Sequence, residues 1–134
     1  MADPAVHGTS APRIAALLLN WRHADLTEQC LRDLLLQTAV PVHVLVMDNG
    51  SGDDSAERLQ ALVTELRASM AGGVHRLELL AFAQNLGFTG AMNRGFAWAH
   101  EHGLPFALVL NNDLRLPVDF LGPLVSVLAT DPRV

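Results

Sequence analysis

Lysine is absent from this chain of 134 residues: all nine basic residues are arginines, set against 14 acidic ones for a net charge of −5. The arginines are spread along the sequence and form no stripe, which argues against nucleic acid as a main partner. The single cysteine, Cys30, excludes an internal disulfide and supplies no metal cluster; it falls in a helical pattern and reads as a small buried residue. No apolar run approaches the roughly 18 residues of a membrane-crossing helix. The six histidines form neither a His-x-x-x-His nor a His-Glu-x-x-His set. His100 and His102 are two apart, point to different helix faces and read as a solvated helix end. There is no Gly-x-Ser-x-Gly elbow and no histidine beside Cys30, so nothing suggests a serine or cysteine hydrolase. Internal repeats and low-complexity segments are also missing. Met1 to Pro12 are small, polar and Pro-containing, without a signal pattern, and read as a disordered leader to a cytoplasmic protein.

What is present is apolar. Half of the chain is hydrophobic and only 17% is charged, which suits one α/β domain with strands covered on both faces. Arg13 to Leu19 gives a first strand ending at Asn20-Trp21. Asp25, three residues before Glu28, predicts an N-cap with its capping-box partner for a helix over 26–37, broken by Pro41. Val42 to Met47 is a second strand ending on Asp48-Asn49-Gly50-Ser51-Gly52. Asn-Gly favours a hairpin, but Leu59, Leu62, Val63, Leu66 and Met70 keep helical spacing, with Asp53, Asp54 and Ser55 as first-turn or cap residues. After Gly72-Gly73, Val74 to Phe82 is a third strand. Gln84 to Gly95 runs into a helix of Phe96 to Ala99 with Gly103 as its C′ residue. Residues 105–110 form a fourth strand, expected to be buried on both faces, and Pro117 to Thr130 a last helix entered through proline. The β-α-β-α-β-α-β-α order implies a parallel, Rossmann-like sheet with helices on both faces. Its strand C-termini share one edge, where ligands bind at the point of strand-order reversal. Asn20, Asp48, Asn85 and the Asn111–Asp113 group all lie just past strand ends.

The Phe106–Leu110 run stops on Asn111-Asn112-Asp113, three hard oxygen-bearing side chains suited to Mg²⁺, Mn²⁺ or sugar hydroxyls, or else simply turning the chain. The glycines of 87–95 suit phosphate binding through free amides or close helix–sheet packing. They lack the Gly-Lys-Ser/Thr ending of a Walker loop and the dinucleotide fingerprint after the first strand, which disfavours an NAD-binding domain. Arg94, the one cation there, can meet a diphosphate or solubilise a helix. Asp53 and Asp54 read as helix-dipole residues rather than metal ligands. Trp21 and Trp98 read as packing groups, with Trp21 adjoining the ligand edge.

Three segments together resemble the N-terminal half of family 2 glycosyltransferases of the GT-A fold, in the rhamnosyltransferase-like branch. They are Val46-Met47-Asp48-Asn49-Gly50-Ser51 with Asp53 and Ser55, Asn85-Leu86-Gly87-Phe88 through Asn93-Arg94-Gly95, and Leu110-Asn111-Asn112-Asp113 with Asp119-Phe120-Leu121. Leu18-Leu19-Asn20-Trp21 supports them. Arg22 departs from the pattern, since many relatives have a second asparagine there. The resemblance implies a donor site for a nucleoside-diphosphate sugar (dTDP-, UDP- or GDP-linked), in the part of the chain from residue 13 onward. Asp48 would meet the base, with Asn20 and Asn49 near it. Asn85, Gly87, Asn93 and Arg94 would pass beside nucleotide and sugar. Asn111 and Asn112 would line the ribose or donor sugar, and Asp113 would hold a divalent metal, Mg²⁺ or Mn²⁺. It also implies an inverting enzyme acting on a glycan or lipid-linked acceptor, in the cytoplasm or at the inner face of the membrane. The general base is expected beyond Val134, in an acceptor half that this chain lacks. A non-catalytic α/β domain that binds a nucleotide or partner is the alternative. A sheet cut there exposes an edge strand and an apolar face, which predicts a homo-oligomer or poor solubility.

Overall fold

The computed structural model describes residues 13–37 and 40–134; the expected leader lies outside them. Ile14–Asn20 is an almost unbroken apolar run, and it forms β1 between two other strands, where both faces are covered. The elements that follow are α1 (Ala24–Leu35), β2 (Val42–Asp48), α2 (Ser55–Ser69), β3 (Arg76–Ala81), α3 (Gly87–Glu101), β4 (Phe106–Leu110) and α4 (Leu121–Thr130). All pairings are parallel and the strand order is β3-β2-β1-β4. The order therefore reverses between β1 and β4, as expected of a doubly wound sheet.

Strand alternation divides the core. Ile14, Ala16, Leu18, Val42, Val44 and Val46 face Leu31 and Leu34 of α1, Leu59, Leu62, Val63 and Leu66 of α2, and Leu121 of α4. Leu17, Leu45 and Met47 face the other way, towards Met92 and Trp98 of α3. Gly95 sits where a Cβ would come 2.9 Å from Leu17 Cδ1, so this glycine permits close helix–sheet packing. Gly103, at φ +65°, is the C′ residue of α3, with Leu104 N–H on Ala99 O and Gly103 N–H on His100 O closing a Schellman turn.

Several expectations are corrected. Among the described residues β4 is an edge strand with one face uncovered: Ala107 and Val109 are exposed, while Leu110 on the other face is buried. Its uncharged sequence resembles that of a central strand, because composition does not reveal which face lacks a covering helix. α1 begins at Ala24, its N-cap position is His23, and no side chain caps it; Asp25 lies in the first turn, and Glu28 pairs instead with Arg32 at 2.8 Å. The 87–95 segment is the first half of α3 rather than a loop before it. Buried Ala91, Met92 and Gly95 hold it on the sheet despite the low helix propensity of glycine. α4 starts at Leu121, four residues after Pro117. His102 is more than a solvated end: its ring lies 4.6 Å from that of Trp98 and 5.2 Å from that of His43. No helix among the described residues is long and apolar enough to cross a membrane.

Candidate functional site

The β1–β2 register pairs Asn20 with Asp48, and the last β1–β4 pair is Leu18 with Leu110. The polar residues after β1, β2 and β4 are thereby brought to one edge at the reversal point. Asn20 is fully buried and Asp48 is 2% exposed, so their polar atoms must find partners inside the protein. Asn20 Nδ2 donates to Asp48 Oδ1 at 2.8 Å, and Ser51 Oγ donates to the same oxygen at 2.6 Å. Among the described residues Asp48 Oδ2 accepts only the Ser51 N–H, at 3.2 Å. On the other side, Thr27 Oγ1 donates to Asn20 Oδ1 at 2.7 Å and accepts from Asn112 Nδ2 at 3.0 Å. One hydrogen-bonded series, Asn112–Thr27–Asn20–Asp48–Ser51, thus ties the three strand ends and α1 together. Among the described residues no buried side-chain polar atom lacks a partner.

The loop after β2 is shaped by its own residues. Gly50 adopts φ +64°, and a Cβ there would lie 2.3 Å from the Gln84 carbonyl carbon. Only glycine fits. Asn49, 3% exposed, accepts the Leu86 N–H at 2.9 Å and reaches Gly87 O at 3.3 Å, fastening the start of α3 to the end of β2. Asn85 Oδ1 accepts the Gly87 N–H at 2.7 Å. Arg22, the departure from the family pattern, is the one non-glycine residue at positive φ among the described residues (+59°). Its N–H meets Ser51 Oγ at 2.9 Å, its Nε meets Ser51 O at 3.0 Å, and its guanidinium lies 4.7 Å from the Trp21 ring centroid. Asp53 Oδ1 accepts the Ser55 N–H at 2.8 Å at the entry to α2; hydrogen bonding from the Ser55 side chain, then from this N–H, holds its carboxyl below the usual range and accounts for it as a helix-start residue.

The end of β4 is different. Asn111 and Asp113 are exposed and Asn112 is half-buried. Cys30, in α1, is fully buried with Sγ 3.7 Å from Asn111 O. Burial, then the Asp33 carboxylate, push its thiol up to about 11, with Asp113 adding a smaller push. Among the described residues no three His, Cys, Asp or Glu side chains converge to hold a metal ion. Asn93 and Arg94 lie on the exposed face of α3 and are not hydrogen bonded to the strand-end residues. The predicted residues therefore fall into three groups: Asn20, Asp48 and Asn112 joined in one network, Asn49, Asn85 and Gly87 at the α3 start, and Asn111, Asp113, Asn93 and Arg94 exposed. Sequence reasoning missed Thr27, whose place four residues into a helical pattern gives no sign that it bridges two asparagines.

Comparison with known proteins bears on the fold and the family. The chain is similar to the mannosyltransferase PcManGT from Pyrobaculum calidifontis in complex with GDP-Man and Mn²⁺, at 20% identity and a TM-score of 0.69 over 94% of this chain and 34% of that one. It is similar to S. aureus TarS 1–349 at 16% identity and a TM-score of 0.65, over 87% of this chain and 32% of that one. A second TarS structure gives 16% identity and a TM-score of 0.64, over 87% of this chain and 19% of that one. The chain thus spans about a third or less of these three structures, which share its fold. No curated protein sequence matches it. The family model for glycosyl transferase family 2 matches residues 20–134, nearly the whole described chain, and the protein belongs to that family.

Proposed function

We propose that this chain is the donor-binding part of an inverting, metal-dependent glycosyltransferase of the rhamnosyltransferase-like branch. Its donor is a nucleoside-diphosphate sugar, dTDP-, UDP- or GDP-linked, and its acceptor a glycan or lipid-linked molecule at the cytoplasmic side of a membrane. The observation that carries the reading is the buried series joining Asn112, Thr27, Asn20, Asp48 and Ser51 at the strand-order reversal. Asp48 Oδ2 keeps acceptor capacity beyond the Ser51 N–H, which suits an N–H of a base. Asn20 aims that carboxylate, and Asn49 and Asn85 hold the start of α3 beside the nucleotide. Gly87, Asn93 and Arg94 border the diphosphate and sugar from α3.

The oxygen donors of Asn111, Asn112 and Asp113 suit a hard divalent ion, Mg²⁺ or Mn²⁺. Asp113 would hold it through its carboxylate. Bound there, the ion would neutralise charge on the departing nucleoside diphosphate.

Thermal unfolding with GDP, UDP or dTDP, with and without Mn²⁺, tests the reading. One nucleotide should stabilise the chain in a metal-dependent way, by about 2.7 kcal/mol at a hundred times its Kd. Asp113→Ala should remove the metal-dependent part. GDP with Mn²⁺ is the first pair to try, given the likeness to a protein held with GDP-Man and Mn²⁺. If no nucleotide shifts the melting point, the donor-site reading fails. Donor hydrolysis separates an enzyme from a nucleotide-binding domain. Light scattering tests the homo-oligomer expected from the open edge of β4.

A further inference from the structure

We infer that Thr27 is a positioning residue that fixes which end of the Asn112 amide faces a ligand. The buried series has a fixed polarity. A carboxylate only accepts hydrogen bonds, so Asp48 Oδ1 obliges Asn20 to turn its NH₂ towards it, at 2.8 Å. Asn20 Oδ1 is then left facing Thr27 and takes its one hydroxyl proton at 2.7 Å, in preference to the more distant His23 O at 3.2 Å. With that proton committed, Thr27 Oγ1 offers only lone pairs, and it takes the Asn112 NH₂ at 3.0 Å. Each amide orientation follows from the one before it, starting at a carboxylate on another strand.

The consequence is chemical selectivity at the edge. Asn112 presents its carbonyl oxygen, Oδ1, to whatever binds there. An acceptor at that point takes a hydroxyl of a ribose or sugar, or a hard cation, and disfavours a phosphate oxygen. Thr27 itself is fully buried and touches no ligand. The identity of the ligand rests on the donor-site reading above; the orientation of Asn112 rests on the hydrogen bonds alone.

The test compares Thr27→Val, which removes the hydroxyl at nearly constant volume, with Thr27→Ser, which keeps it. The first readout is exchange of the Asn112 side-chain amide protons by NMR, with the exposed Asn93 amide as internal reference. In Thr27→Val the exchange should rise roughly fivefold, the equivalent of one net hydrogen bond, and in Thr27→Ser it should stay near the wild-type rate. The second readout is the Kd for GDP or UDP with Mn²⁺, expected to weaken by a similar factor in Thr27→Val only. Slow exchange preserved in Thr27→Val overturns the assignment. If exchange rises while the wild type binds no nucleotide, the positioning role stands and the donor-site reading falls. Should Thr27→Val fail to fold, the wild type decides alone: Asn112 amide protons exchanging as fast as those of Asn93 overturn it.

Discussion

At the end of β2, Asp48, Asn49 and Ser51 are buried and hydrogen bonded into the protein, whereas at the end of β4 the Asn111 and Asp113 side chains stand exposed and, of the three side chains there, Asn112 alone is tied back. Both ends carry amides and carboxylates on one sheet edge, and both follow apolar strands. The difference lies in what surrounds them. β2 is an inner strand flanked by β1 and β3, so polar groups at its end lose water and must pair with one another. β4 has an open side, so its terminal residues remain hydrated and unspent. The first end has its geometry fixed before any ligand arrives. The second keeps donor atoms available for a ligand to organise.

Substitutions can break that contrast, and the largest effect is expected in the closed loop. Gly50→Ala combines positive φ with a Cβ clash against the Gln84 main chain, and should cost about 3 kcal/mol or more in urea unfolding. Gly52→Ala has a similar φ of +71° but open space around it, and should cost only about 1 kcal/mol. Equal losses at the two positions would mean that Gln84 can move away.

Next comes the carboxylate pair. Asp48→Asn sets an NH₂ or a neutral oxygen against partners arranged for a carboxylate, and should destabilise the fold by about 1–3 kcal/mol. Asp113→Ala, on the open end, should stay within about 0.5 kcal/mol in the absence of ligand. A large loss there would show that the β4 end is also part of the fold's framework.

The smallest effect is electrostatic. Asp33 of α1 accepts from Arg115 Nε at 2.7 Å and from the Leu116 N–H at 3.0 Å, tying α1 to the segment after β4. The Arg115 hydrogen bond, then that of Leu116, holds the Asp33 carboxyl below its usual range. The folded state therefore binds fewer protons than the unfolded chain as the pH falls. The stability contributed by this contact is complete above the ordinary aspartate value and is lost as the pH drops through the lowered one. Urea midpoints between pH 7 and pH 3 should fall less steeply in Asp33→Asn than in the wild type.

The alternation of strands and helices was legible because apolar runs and i, i+3, i+4 spacing are local signals, as in Leu59, Leu62, Val63 and Leu66. The placement of Asn20 and Asp48 at one edge followed from the parallel winding that such alternation implies. Less was legible where neighbours decide. Phe106–Leu110 reads the same whether one or two strands flank it. The helix over Gly87–Gly95 is set by packing on Leu17 and Met47, against the local preference of its glycines. Thr27 acquires its role only through partners seven and 85 positions away.

Cys30 gives the β4 end its own reporter. The thiol is fully buried, lies against Asn111 O and is pushed up to about 11, so thiol reagents react with it only when the surrounding structure opens. The chain has no other cysteine. Its labelling kinetics therefore time the opening of this region on a single reactive atom, without an engineered probe. A molecule that settles on Asn111, Asn112 and Asp113 should lengthen that time, whatever its chemistry.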